Sequence, residues 1–148
     1  MTFNNSRNEK LKRFFPVPNE VFQMDLCNSE IVIYSYLLYC EDRDTFKCHP
    51  SYTTIGDSVG LSKNTVMKYV AMLEDKGLIK TEHSEIEMKN GEKRNGNLIY
   101  TILPINDAHE RFYERQMQRL ELENARAKAK KRLDAFERKH PRKAVDPA

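Results

Sequence analysis

One glycine between two short apolar patterns constrains this chain more than any other feature. Before it, Ile55 and Val59 lie four residues apart, on one face of a helix. Gly60 ends that helix, because glycine takes a left-handed backbone conformation at little cost. After it, a second segment has an apolar face at helical spacing, formed by Val66, Val70 and Leu73. The spacing predicts two short helices joined by a tight turn.

The flanking residues set the bounds of these helices. Ser51 and Ser62 are the expected N-caps, because a serine hydroxyl accepts hydrogen bonds from free backbone N–H groups. Gly77 follows the second helix, which we expect over about residues 62–76. Gly56 lies where the second helix would cross the first, and a small side chain suits a close crossing. The pair resembles the helix-turn-helix of bacterial DNA-binding proteins at Ile55, Gly56, Val59, Gly60, Leu61, Val66 and Tyr69.

This resemblance implies DNA binding, with one departure from the usual pattern. Alanine is common at the position of Gly56, and a glycine there weakens the helix by about 1 kcal/mol. A helix pair with a glycine turn also occurs in proteins that do not bind DNA. The prediction of DNA binding therefore depends on the residues that follow the helix pair.

A hairpin is predicted directly after the helix pair. Alternating residues from Leu78 onward predict one strand, and residues 97–103 predict a second strand of stronger β character. Between them, residues 89–96 are polar and basic, with turn signals at Asn90-Gly91 and Asn95-Gly96. Two helices, a glycine and a hairpin with a basic tip are the order of a winged helix. We expect a mainly α fold with a small β-hairpin wing (α+β), followed by a long C-terminal helix.

The N-terminal region combines a polar arm with an aromatic segment. Residues 1–13 are expected to form a flexible basic arm, which is either a solvated tail or an arm that contacts phosphates or a minor groove. In residues 14–22, Pro16 and Pro18 oppose a helix, and four apolar side chains are expected to pack on the domain. These four are Phe14, Phe15, Val17 and Phe22.

A tyrosine-rich helix is predicted next. Asn28 or Ser29 is its expected cap, and the helix runs over about residues 30–42. It is apolar nearly all round, so we expect it to be buried on more than one side, as a central core helix or as part of a dimer interface. Residues 41–50 are predicted to form a loop. The potential ligands Cys40, Cys48 and His49 match no common metal-site spacing.

Several segments together resemble a wider winged-helix family found in bacteria and their mobile elements. They are residues 15–22, the tyrosine-rich helix, residues 48–51 and residues 73–79. The family is similar to the DNA-binding domains of plasmid replication initiators and DnaD-like primosome proteins, and it includes many small transcription regulators. The resemblance covers about residues 14–104 and implies DNA binding without a defined regulatory role.

A long helix is predicted over residues 105–140. Asp107 and Glu110 form a capping box near its start, and Pro141 ends it. Its two apolar strips do not join into one heptad pattern, so packing on the domain or against a second subunit is the expected use. The strips are Tyr113, Met117 and Leu120, and then Ala129, Leu133 and Phe136. Residues 141–148 are expected to be disordered.

The basic surplus of the chain lies in this C-terminal part. Residues 1–108 hold 13 Lys and Arg against 15 Asp and Glu, whereas residues 109–148 hold 12 against 7. Five cations of the helix fall within an arc of about 100°. They are Arg111, Arg115, Arg119, Arg126 and Lys130. This face is either solvated or neutralised by DNA phosphates or an acidic partner.

The winged-helix interpretation predicts which residues contact DNA. Outward residues near the start of the second helix are expected to enter the major groove. They are Ser62, Lys63, Asn64, Thr65 and Lys68. Contacts to phosphates or to the minor groove are expected from the start of the first helix and from the wing. These residues are Tyr52, Thr53, Thr54, Lys89, Lys93, Arg94 and Asn95.

The sequence lacks the motifs that are typical of several other classes of protein. The sequence has no Gly-rich phosphate loop, no Gly-x-Ser-x-Gly elbow and no His-Glu-x-x-His, so we expect no enzyme activity, metal or cofactor. Its longest apolar-rich stretch, residues 31–40, is shorter than the roughly 20 residues that span a bilayer, so we expect a cytoplasmic protein without a membrane partner.

The expected function is sequence-specific binding of double-stranded DNA by a homodimer. Transcription regulation is the first hypothesis, and initiation of plasmid or mobile-element replication is the second. The alternative is a winged-helix module that binds protein in a replication assembly. The sequence does not indicate whether the protein binds a small-molecule effector.

Overall fold

The computed structural model describes residues 14–141, so the predicted arm over 1–13 and the predicted tail beyond residue 141 lie outside the described residues. The helices are α1 (Asn28–Cys40), α2 (Tyr52–Val59), α3 (Lys63–Asp75) and α4 (Ile105–Lys139). The strands are β1 (Lys47–Cys48), β2 (Ile79–Glu82), β3 (Glu85–Glu87), β4 (Lys93–Asn95) and β5 (Ile99–Ile102). The chain divides into two units, one ending at Glu110 and the other beginning at Arg111.

The core of the first unit is built around α1. This helix packs against α2, α3 and β5, so it is the central helix, as its composition predicted. Its outer side, which carries Val32 and Tyr39, is exposed. The buried apolar side chains of α1 are Ile33, Tyr34 and Leu37. The other elements of the unit contribute Val21, Met24, Cys48, Ile55, Val66, Val70, Leu73, Leu78, Ile79, Tyr100 and Ala108.

The start of α1 differs from the prediction and is tied to the end of α3. Its N-cap is Cys27 rather than Asn28 or Ser29. The Cys27 N–H donates to the Glu30 carboxylate over 3.3 Å, and the same oxygen accepts from the Lys76 ammonium at 2.8 Å. Glu30 is only 1% exposed, and a charge this deeply buried needs a partner. Its partner is Lys76, which lies just after α3. The cap is therefore chosen by a long-range ion pair as well as by local sequence.

A three-stranded antiparallel sheet closes the other side of the unit. Its order is β1-β5-β2, with Ile79 opposite Ile102 and Cys48 opposite Tyr100. β1 lies inside the segment predicted as a loop, residues 41–50, so that prediction is wrong at this point. Two residues carry no recognisable strand pattern, and only pairing with β5 makes them a strand. Burial raises the pKa of the Cys48 thiol to about 12.

The hairpin is longer and more divided than expected. β2 and β5 form its base, while β3 and β4 form a separate two-stranded tip. We call the tip and its turn, residues 85–95, the wing. Gly91 has a φ of 81° in the turn, as the Asn90-Gly91 signal predicted. Gly96 is not in a turn: its N–H donates to the Ser84 carbonyl at 2.7 Å, which extends the ladder.

The aromatic N-terminal segment packs differently from the prediction. Phe14 and Phe22 are 67% and 76% exposed. A short 3-10 helix over Asn19–Phe22 buries Val21 instead, so the neighbouring Phe22 faces away from the core. Phe15 contacts the ring of Tyr39, with 5.7 Å between ring centroids. The segment therefore leaves aromatic surface beside the outer side of α1.

The long helix α4 begins two residues before the predicted capping box. Asp107 lies in its first turn rather than at the cap, where its charge still complements the helix dipole. The apolar residues of both predicted strips are exposed along the helix, namely Tyr113, Met117, Leu120, Ala129, Leu133 and Phe136. Among residues 14–141, none of the helices combines the length and apolar character needed to cross a membrane.

The ion pair between Glu30 and Lys76 gives a stability prediction. Lys76→Met leaves a buried carboxylate without its cation and should lower the free energy of unfolding by about 2 kcal/mol. Lys80→Met is the matched control, because Lys80 forms an exposed pair with Glu82 at 3.2 Å and should matter by less than about 0.5 kcal/mol. Urea denaturation measures both variants. Equal stabilities for the two variants would contradict a structural role for Lys76.

Candidate nucleic-acid interface

The starts of α2 and α3 are each fixed by a serine cap. The Ser51 hydroxyl accepts from the Thr54 N–H at 3.0 Å, and the Ser62 hydroxyl accepts from the Thr65 N–H at 3.3 Å. Both serine caps are therefore confirmed. Gly60 closes α2 with a φ of 77°, as the sequence predicted. These caps fix where the exposed first turn of α3 begins.

Gly56 is required by the turn more than by a helix crossing. A side-chain carbon at this position would overlap the carbonyl oxygen of Leu61, whereas the nearest atom of α3, in Val66, would be 3.6 Å away. The expectation that α3 itself demands a small residue is thus only partly correct. The Gly56 carbonyl accepts from both the Gly60 and the Leu61 N–H groups, which draws the turn against α2.

One side of α3 is buried and the other carries the predicted contact residues. Val66, Val70 and Leu73 form its buried side, as their spacing predicted. On the outer side, three polar side chains are exposed in the first half of the helix. They are Lys63, Asn64 and Lys68.

Two other predicted residues of α3 are partly engaged in capping. The hydroxyl groups of Ser62 and Thr65 lie 2.7 Å apart and form a hydrogen bond. Thr65 is half-buried. Met67 is 44% exposed between the polar residues, so the outer side of α3 is not wholly polar.

A crevice of about 380 Å³ separates the start of α3 from the base of the hairpin. It brings Lys63, at the start of α3, together with Tyr52 and Thr53, at the start of α2. Burial, with a smaller contribution from Glu74, raises the pKa of the Tyr52 phenol. The Tyr52 phenol can donate a hydrogen bond. Thr54 is exposed nearby, and its hydroxyl bonds to Ser51 at 2.8 Å.

The crevice also contains residues that the sequence analysis missed. His83 and Asn97 line it from the ends of the two base strands. Asn97 donates to the His49 carbonyl at 3.2 Å, so its amide holds the loop in place. His83 is exposed and adds an imidazole to the same lining as Lys63. Only the pairing of β2 with β5 brings these residues close to α3, and no local sequence pattern predicts that pairing.

The wing is less basic than residues 89–96 suggested. All four predicted residues are exposed: Lys89, Lys93, Arg94 and Asn95. However, β4 pairs with an acidic strand, so that Lys93 lies opposite Glu87 and 3.8 Å from the Glu85 carboxylate. Arg94 lies opposite Ile86 and points to the other face of the hairpin. The positive charge of Lys93 is therefore largely offset, and Arg94 and Lys89 are the freer cations.

Comparison with known proteins agrees with this geometry. Residues 26–79 match the sequence family described as a helix-turn-helix domain. The chain also resembles TrmBL2, an archaeal chromatin protein, with a TM-score of 0.54 and 17% identity over 93% of this chain. The domain has the winged-helix fold. This chain spans 43% of the length of that archaeal protein.

Other similar structures are more distant in shape. A possible transcriptional regulator from Methanosarcina mazei Go1 is 19% identical, with a TM-score of 0.47 over 70% of this chain and 80% of its own. A DNA complex of S. aureus MepR is 18% identical, with a TM-score of 0.37 over 91% of this chain and 95% of its own. No curated protein sequence matches the chain significantly.

The Leu61 contact of Gly56 gives a prediction that opposes helix propensity. Gly56→Ala should lower the free energy of unfolding by about 1–2 kcal/mol, because the added methyl group meets a backbone carbonyl that cannot move aside. Asp57→Ala is the control, since this exposed neighbour should be neutral or slightly stabilising. Thermal and urea unfolding measure both. A gain in stability of about 1 kcal/mol for Gly56→Ala, as propensity alone predicts, would exclude the close contact.

Proposed function

We propose that this protein binds double-stranded DNA sequence-specifically through α3, with further contacts from the crevice and the wing. The observation that carries the proposal is the two-sided character of α3. Its apolar side is buried in the core, while Lys63, Asn64 and Lys68 are exposed together on the first two turns. A helix presented in this way by a winged-helix domain is suited to a groove rather than to a small ligand.

The dimensions and the chemistry of α3 fit the major groove. A helix is about 11 Å across with its side chains, and the major groove is about 12 Å wide. Asn64 can pair with N6 and N7 of adenine, and Lys68 can reach guanine or a phosphate. The Thr65 methyl group can contact a thymine methyl. The Ser62 hydroxyl already caps α3. The proposed contribution of this helix start is therefore its free N–H groups, which suit a phosphate.

The crevice and the wing are proposed to hold the DNA backbone. Lys63, Tyr52 and Thr53 converge at the crevice and can bind one phosphate oxygen each, while Thr54 lies beside them. His83 joins this set as a residue that only the structure reveals. On the wing, Arg94, Lys89 and Asn95 are the proposed contacts, and Lys93 contributes less because of its acidic neighbours. Phosphate contacts fix the register, whereas base contacts select the site.

Regulation of transcription is the role we propose first. The helix-turn-helix family match over residues 26–79 supports it, and the similar archaeal chromatin protein is itself described as binding DNA. Initiation of plasmid or mobile-element replication is the second proposal, supported by the sequence resemblance alone. In both roles the protein acts by binding rather than by catalysis, in the cytoplasm beside the DNA.

A protein partner is the alternative for the same surface. Met67 on α3 and Ile86 on the wing are both more than 40% exposed, and Met88 is exposed at the turn. An interface that binds protein typically has apolar side chains at its centre. These three apolar side chains are scattered among lysines and an arginine, so the surface as a whole favours DNA. If DNA does not bind, they are the expected contacts of a protein partner.

We also propose that the protein is a homodimer. The outer side of α1 carries Val32, Tyr36 and Tyr39, and Phe15 adds its ring to Tyr39. A contiguous aromatic patch of this kind is more often an interface than a solvated surface. A dimer would also place two copies of α3 on one duplex, as two half-sites require.

The DNA-binding proposal is tested by fluorescence anisotropy with a labelled duplex from upstream of the gene, over a salt series. The variant Lys63→Ala/Asn64→Ala/Lys68→Ala should lose its preference for that duplex over a shuffled one, because base contacts select the site. Wild type should show a log–log salt slope of about −0.9 for each phosphate contacted. A Lys47→Ala/Lys80→Ala variant, which changes exposed lysines elsewhere, is the control.

Two results would contradict this proposal. One is a wild-type protein that binds no duplex at low salt, which would direct attention to a protein partner for Met67 and Ile86. The other is an α3 variant with the same sequence preference as wild type, which would move site selection away from α3. Circular dichroism of each variant confirms that it is folded.

The dimer is tested by light scattering. Wild type should have twice the mass of one chain, and Val32→Glu/Tyr39→Glu should have the mass of one chain, because two charges would be buried in the interface. The control is Gln23→Glu/Thr45→Glu, which adds the same charges at exposed positions and should remain dimeric. Wild type that runs as one chain at high concentration would remove the dimer from the proposal.

A further inference from the structure

Charge is separated between the two units of this protein. Residues 1–110 hold 13 Lys and Arg but 16 Asp and Glu, so the unit that contains the winged helix is net acidic. Residues 111–148 hold 12 Lys and Arg against 6 Asp and Glu. DNA is a dense polyanion, and its sequence-independent attraction for a protein comes from released counterions at Lys and Arg contacts. An acidic unit supplies little of that attraction, whereas the C-terminal part is well suited to supply it.

The ten cations of residues 111–141 lie on two sides of α4. Five of them lie within about 100° of the helix circumference, which we call the basic arc. In the part of the chain that the structure describes, the recorded ion pairs all lie between Glu30 and Lys93, and none involves the arc. The members of the basic arc are all exposed, namely Arg111, Arg115, Arg119, Arg126 and Lys130.

The spacing of the arc suits an extended anion. Arg111, Arg115 and Arg119 are each four residues apart, which is about 6 Å along the axis, and the whole arc extends for about 28 Å. Like charges at this spacing oppose an isolated helix by a few tenths of a kcal/mol per pair. Glu123, four residues after Arg119, relieves part of this repulsion, and an anionic partner relieves the rest. Four of the five are arginines, whose planar guanidinium binds phosphate through two parallel hydrogen bonds.

We propose that the basic arc of α4 binds nucleic-acid phosphates and supplies most of the sequence-independent affinity, while α3 selects the site. The inference rests on the proposed DNA-binding function and adds a second contact surface to it. Arg115, Arg119 and Arg126 lie at the centre of the arc. Leu122 and Leu133 share its face, so the contact is a line of charges beside apolar side chains rather than a uniformly basic surface.

The same helix offers a matched control. Arg115→Gln/Arg119→Gln/Arg126→Gln removes three charges from the arc. Lys128→Gln/Arg132→Gln/Lys139→Gln removes three charges from the far side of α4, about 140° around the axis. Both variants have the same net charge, and glutamine keeps the helix propensity. Circular dichroism verifies that both keep their helix content.

The measurement is anisotropy with a labelled random-sequence duplex of about 40 bp over a salt series. The arc variant should reduce the log–log salt slope by roughly two to three units relative to wild type, at about 0.9 per phosphate lost, and should weaken binding at low salt at least tenfold. The far-side variant should keep a slope within about one unit of wild type. Light scattering on both variants should show an unchanged mass.

The outcomes separate this inference from the proposed function. Equal slopes for wild type and the arc variant overturn the inference, and so do equal losses for the arc and far-side variants, which would reflect net charge alone. An arc variant that changes mass but not slope also overturns it and identifies a protein interface. If the α3 variant binds every duplex as wild type does while the arc variant loses affinity, the arc stands and site selection by α3 fails.

Discussion

A single buried carboxylate holds the geometry of the winged helix together. Glu30 accepts from the Cys27 N–H at the start of α1 and from the Lys76 ammonium just beyond α3. A charge this deeply buried is tolerated only while its partners stay in place. The position of Lys76 therefore constrains the end of α3, and the Gly56–Leu61 contact constrains its start. Between these points α3 has little freedom to rotate, which keeps its polar side directed outward.

The sequence predicted the helix pair well because its determinants are local. The caps at Ser51 and Ser62, the left-handed Gly60 and the buried side of α3 all depend on residues within one or two turns of each other. The polar positions Lys63, Asn64 and Lys68 follow from the same helical period. Everything fixed by this period was predictable, including which face of α3 is available to a ligand.

The features that could not be predicted depend on pairing across the fold. Cys27 serves as the cap of α1 because Glu30 is held by a lysine 46 residues away. β1 is a strand only because β5 lies beside it, and Phe22 is exposed because the turn before it directs Val21 inward. The acidic partners of Lys93 became visible only when β3 and β4 were paired. Composition of residues 89–96 alone overstated the positive charge of the wing.

The weakened charge of the wing changes how affinity and selection are divided in this protein. A winged-helix unit with more acidic than basic side chains repels DNA at long range, so the proposed short-range contacts of α3 require that the duplex is first captured by other means. Such a unit makes few non-specific contacts that compete with its own site, which favours discrimination between sequences. The proposed role of the basic arc of α4 is to restore this attraction without contributing base contacts. If α3 selects the site and the basic arc captures the duplex, as we propose, salt tunes capture while the site preference stays unchanged.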